Sequence, residues 1–157
     1  MIHLSVVFIW LFACATQDFI QRHISNILTF GGAALALLYL LWTGDTWLGA
    51  SAEEGGWALL IALLLTLPGY ALNKLGAGDV KLMIALALAT DRLTILGTVI
   101  GSSLCAGLWW LIASKILPLL NQWFNSDEFK VKRSMSKKLP YAPFLLAGFT
   151  LTTMLLV

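Results

Sequence analysis

The stretch WALLIALLLTLPGYALNKLGAGDVKLMIALALAT (residues 57–90) decides what kind of chain this is. Two apolar runs, 57–72 and 80–90, meet at a short polar joint that holds Lys74 and ends in Gly76-Ala77-Gly78-Asp79. The joint places a carboxylate where one apolar segment stops and the next starts. An ionisable group at membrane depth is costly and usually marks function. Asp18 closes the first apolar run of the chain in the same way.

Composition carries this reading to the whole chain. Its 157 residues are 59% hydrophobic and only 11% charged, with a mean hydropathy of +0.86. A soluble domain has about 25% charged residues. Long apolar runs in close succession describe an all-α polytopic integral membrane protein with about six transmembrane helices. The predicted spans are 3–16 (running on past Asp18), 27–43, 57–72, 80–90, 93–117 and 143–157. The fourth is short against the ~20 residues that cross a ~30 Å hydrocarbon core. It either starts earlier, near Gly78, or crosses where the membrane is thinned or wet. Residues 1–157 form one membrane-embedded domain, and 118–139 are expected as a loop within it.

Charge gives the spans a direction. The connections holding Arg22, then Lys74 and Lys81, then Lys115 through Lys138 carry nine of the ten Lys and Arg residues. The opposite connections carry Asp45, Glu53, Glu54 and Asp91, with Arg92 the single base. The positive-inside tendency makes the basic loops cytoplasmic, with both termini outside. Asp18 and Asp79 then share the cytoplasmic edge.

Other features have plainer readings. Ala13-Cys14-Ala15 has the small-x-small form of a signal cleavage site, but the residues before it lack the Lys or Arg of a secretory leader. Cys14 and Cys105 read as small apolar residues within helices, without metal-site spacing. Gly97 and Gly101 form a GxxxG pair suited to close helix packing. Tyr39, Trp42, Trp47 and Trp57 suit an interfacial aromatic belt. No serine-nucleophile, H-E-x-x-H or P-loop motif is present, and the loops are too short for a nucleotide domain. No metal, cofactor or nucleic-acid partner is expected; membrane lipid is.

Two carboxylates sharing one proton can hydrolyse a peptide bond. One takes a proton from water while the other, protonated, polarises the carbonyl oxygen. Like charges a few ångströms apart cannot both ionise cheaply, so the pair titrates in two separated steps. Asp18 and Asp79 have the depth and separate helices that such a pair needs. Gly76 and Gly78 would let a substrate strand approach Asp79 and would permit unusual backbone dihedrals. The plainer alternative is a turn at the interface, with Asp79 favoured by the positive end of a helix dipole.

These residues resemble the prepilin peptidases, GxGD membrane aspartyl proteases. Asp18 with Arg22, Ile24 and Asn26 is similar to the first catalytic segment of that family, with Ser25 where proline is usual. Gly76-Ala77-Gly78-Asp79-Val80-Lys81-Leu82 resembles the second, and Pro140-Tyr141-Ala142-Pro143-Phe144 with Gly148 the last. The resemblance implies a six-helix protease of the bacterial inner membrane that removes the basic leader of type IV pilin-like precursors on the cytoplasmic side. It implies Asp18 and Asp79 as the catalytic pair, with Gly76, Gly78, Lys81, Arg22 and Asn26 as supporting residues. The cysteine-bearing insertion of larger, methylating members is missing. The chain therefore resembles the short form associated with tight-adherence (Flp) pili, without methyltransferase activity. Asp127 and Glu128 are candidates for docking a basic leader. A proton-coupled transporter would want its carboxylates near mid-membrane, and a non-catalytic assembly subunit would not need them at all.

Overall fold

In the computed structural model the chain forms six helices: α1 (Ile2–Gln21), α2 (Asn26–Thr43), α3 (Ala52–Ala71), α4 (Ala77–Ala89), α5 (Arg92–Trp123) and α6 (Ala142–Leu156). The structure describes residues 2–21, 24–73, 75–123 and 141–156, with backbone alone at 113–114 and 116–123. Among the described residues, β structure is limited to one isolated bridge, Asp45 to Ser51. The all-α polytopic fold expected from composition is the fold observed. Helices α1, α2 and α3 and the Arg92–Ile112 part of α5 are each long and apolar enough to cross a membrane, and α6 is a shorter apolar helix.

Polarity is distributed for a hydrocarbon solvent. Trp42 is 90% exposed and Leu155 85%, whereas Thr66, Thr90, Thr98, Thr152 and Thr153 are buried. Each of these hydroxyls donates to a backbone carbonyl one turn earlier in its own helix. Such back-bonding satisfies polar groups internally, as a medium without water requires.

Helix α4 is the hub. It packs against α2 and α3, and every residue from Ala85 through Ala89 is buried. At 13 residues it is about 20 Å long, too short to span the core alone. It starts at Ala77, close to the earlier start expected for it. The α2–α3 loop closes its other end, where the Leu48 N–H donates to the Ala89 carbonyl at 3.1 Å. Gly44 and Gly49 hold positive φ, 77° and 90°, which lets that loop turn sharply enough to do so.

Helices α5 and α6 make the most extensive pairing. Gly97 faces Thr152, and Gly101 lies against the backbone of Gly148, so the GxxxG pair serves close packing as expected. Two boundaries differ from expectation. Helix α3 starts at Ala52 because Ser51 caps it, its side chain accepting from the Glu54 N–H, and Glu53 and Glu54 fall in the first turn where the dipole favours acids. Helix α5 runs on past Pro118 to Trp123, and the remainder of the expected loop lies outside the described residues.

Candidate active site

The bundle has two distinct ends. At one, His3, Tyr39 and Trp47 cluster with their rings tilted or edge-on to one another, and the Trp47 indole donates to the His3 carbonyl at 3.2 Å. That contact pins the start of α1 to the α2–α3 loop. The other end gathers the last turn of α1, the first turns of α2 and α4, and the start of α6. Both aspartates are there.

Asp18 sits in the last turn of α1 and is buried. Its Oδ2 accepts the backbone N–H of Ala142, the first residue of α6, at 3.0 Å. Four N–H groups at a helix start lack partners within the helix, and Asp18 supplies one of them from 124 residues away. The bond fixes the carboxylate against the mouth of α6.

Asp79 is the third residue of α4 and is half-buried. Its Oδ2 accepts the N–H of Gly76 at 3.1 Å, while its own N–H donates to the Gly76 carbonyl at 3.1 Å. The turn before it is tight. Asn73 adopts the left-handed conformation (φ 55°), which asparagine tolerates better than most residues. The Leu75 N–H then reaches back to the Gly69 carbonyl at 3.1 Å. Gly76 itself is extended (φ −78°, ψ 151°) and Gly78 is helical, so neither glycine takes the unusual dihedrals expected of it. Space is what Gly76 provides: a Cβ there would lie 3.1 Å from Asp79 Oδ2.

Tyr141 adjoins the Asp18 end of the site. It lies just ahead of α6, next to the Ala142 that bonds Asp18. Burial pushes its phenol above the ordinary range; the Ser102 hydrogen bond opposes this, and the negative charge of Asp79 adds to it. The Tyr141 phenol and the Ser102 hydroxyl share a hydrogen bond at 3.0 Å, and the same hydroxyl lies 2.9 Å from the Val99 carbonyl.

The expected supporting residues divide. Lys81 donates from Nζ to Asn26 Oδ1 at 2.9 Å and lies 4.4 Å from the Phe30 ring centroid, so these two residues tie α4 to α2 beside the site. Gly76 and Gly78 flank Asp79 as expected. Arg22, Asp127 and Glu128 lie outside the described residues. Sequence reasoning missed Gln17, whose Oε1 accepts the Ser25 N–H at 3.0 Å, and the backbone donor of Ala142. A large apolar cavity, about 470 Å³, is lined by Trp10, Ala36, Tyr39, Trp42, Trp47 and Ala85 among others, away from the aspartates. Its lining holds no carboxylate, histidine or cysteine to activate water. A large apolar pocket is the default ligand site, but this one lacks the groups that hydrolysis needs.

An all-helical membrane bundle with two acids brought to one end by four different helix termini defines a polytopic membrane protein with a polar site at its boundary. The family model of the type IV leader peptidase family matches residues 5–111, a stretch that includes both aspartates. The chain belongs to that family, and is a membrane peptidase of the kind that processes type IV prepilins. No curated protein and no solved structure matches it.

Proposed function

We propose that the chain is an aspartic endopeptidase that removes the basic leader from type IV prepilins of the Flp type, at the cytoplasmic face of the inner membrane. Residues 1–157 act as a single domain. Asp18 and Asp79 form the catalytic pair: one carboxylate takes a proton from water, and the other, protonated, hydrogen-bonds the scissile carbonyl oxygen as the hydroxide adds. The proton then passes to the leaving amine as the C–N bond breaks. The observation that supports this reading is the placement of both acids at helix ends, Asp18 held by the Ala142 N–H at the start of α6 and Asp79 by the Gly76 N–H at the start of α4. The cytoplasmic orientation rests on the basic residues at that end. The absence of methyl transfer rests on the two cysteines, which lie apart in α1 and α5 with no insertion that would pair them.

Co-expression with a candidate prepilin tests the reading. Processing is expected to stop in Asp18→Asn and in Asp79→Asn, with both variants at normal level in the membrane. Normal cleavage by either one removes the catalytic pair.

A further inference from the structure

Two catalytic acids on different helices work only if something sets the distance between those helices. Here the helices that carry them have other principal partners. Helix α1 packs mainly on α6, and α4 on α2 and α3. Just after Asp18 the chain enters the α1–α2 connection, whose Ile24, with Asn26 at the start of α2, approaches α4. How that turn is held therefore bears on where one carboxylate sits relative to the other.

We propose that Gln17 is a positioning residue for the carboxylate pair, acting through Ser25; the proposal rests on the reading of Asp18 and Asp79 as that pair. Gln17 is the residue before Asp18 on the last turn of α1. Its Oε1 accepts the Ser25 N–H at 3.0 Å. Ser25 is the N-cap of α2 (φ −63°, ψ 138°), with its side chain accepting from the Leu28 N–H. The N–H of an N-cap residue lies outside its own helix and has no helical acceptor, so Gln17 supplies one. Ile24, just before it, is buried, and its Cβ would stand 3.8 Å from a Cβ placed on Gly78, next to Asp79. Gln17 is thus bonded to Ser25, and the neighbouring Ile24 is buried on the side of Gly78. Gln17 adjoins Asp18 along the chain, and Gly78 adjoins Asp79. On the far side of the same turn, Asn26 holds Lys81 of α4.

The backbone of Ser25 suggests how to separate this role from general packing. Its φ of −63° is the angle a proline ring imposes, near −65°. A proline there has no N–H to satisfy and holds the turn covalently, so it should relieve the chain of its need for Gln17. Loss of packing around Gln17 has no reason to be repaired by a ring eight residues away.

The test measures kcat and KM for leader cleavage by the full chain in lipid nanodiscs, using a synthetic precursor peptide. Four proteins are compared: wild type, Gln17→Met, Ser25→Pro and the double variant. Gln17→Met keeps the side-chain length without the acceptor. It is expected to lower kcat by roughly ten- to a hundredfold at unchanged KM, the scale of a small misplacement of catalytic groups. In the Ser25→Pro background the same substitution is expected to cost less than about threefold. Wild-type kcat in Gln17→Met, an equal loss in both backgrounds, or an inactive Ser25→Pro each overturns the proposal. If Gln17→Met does not accumulate in the membrane, Gln17→Asn, one methylene too short to reach Ser25, replaces it with the same expectations. Asp18→Asn and Asp79→Asn run in parallel. Activity in those variants removes the catalytic pair itself, whereas inactive aspartate variants beside a fully active Gln17→Met remove Gln17 alone.

Discussion

At Gly76 and Gly78 the same residue type has two different physical reasons, and substitution separates them. A Cβ on Gly76 would stand 3.1 Å from Asp79 Oδ2, closer than an unstrained contact, so Gly76→Ala is expected to swing the carboxylate off its N–H. Leader cleavage should fall at least tenfold while the protein still folds. At Gly78 a Cβ meets only Ile24, at an ordinary 3.8 Å. Gly78→Ala should leave the thermal midpoint unchanged, and any loss of activity there would mark the approach of substrate. Cleavage assays with melting curves on the two variants check both outcomes; equal activity would show that Gly76 does not shape the site. The local part of this site was legible in the sequence, because Asp79, Gly76 and the start of α4 are neighbours along the chain. The partners of Asp18 and Gln17 were not, because each is a backbone N–H of another helix, and a residue's name does not reveal whether its amide is available.

Among the elements, the α5–α6 pair depends most on the absence of side chains. A Cβ on Gly148 would overlap backbone atoms of Ser102 and Thr98, and backbone cannot move aside as a flexible side chain can. Gly148→Ala is expected to destabilise the protein by about 1–3 kcal/mol, the usual cost of overpacking. It should also displace the start of α6, which holds Asp18. Gly107 on α5 meets nothing within 4 Å, so Gly107→Ala serves as the control in a detergent melting experiment. Equal midpoints would show that the two helices can part without penalty. The identities of the helices followed from apolar runs, but their ends did not. Glu53 and Glu54 looked like loop, though a helix start with Ser51 as its cap favours acids. The loop is expected to open at residue 118, and α5 runs on past it to Trp123.

For the whole molecule, the property of greatest consequence is which way the site end faces. The basic connections predict that it faces the cytoplasm. In a background lacking Cys14 and Cys105, a cysteine at position 45 should react with a membrane-impermeant thiol reagent from outside intact cells, and one at position 136 only after the cells are opened. Labelling of both from outside would reverse the arrangement. The six-helix architecture was readable from hydropathy because the membrane imposes its thickness on sequence. The short α4 escaped that rule because it is enclosed by its neighbours and met from the far side by the α2–α3 loop, an arrangement that no single segment encodes.

The hydrogen bond from Ala142 to Asp18 joins the last helix to the first. A chain emerging from the ribosome inserts α1 long before α6 exists, and Asp18 must wait for nearly the entire protein to be made. A half-built copy already carries both acids and yet lacks the piece that seats one of them. On the proposal that Asp18 is one of the catalytic pair, leader cleavage is expected only once α6 is in place.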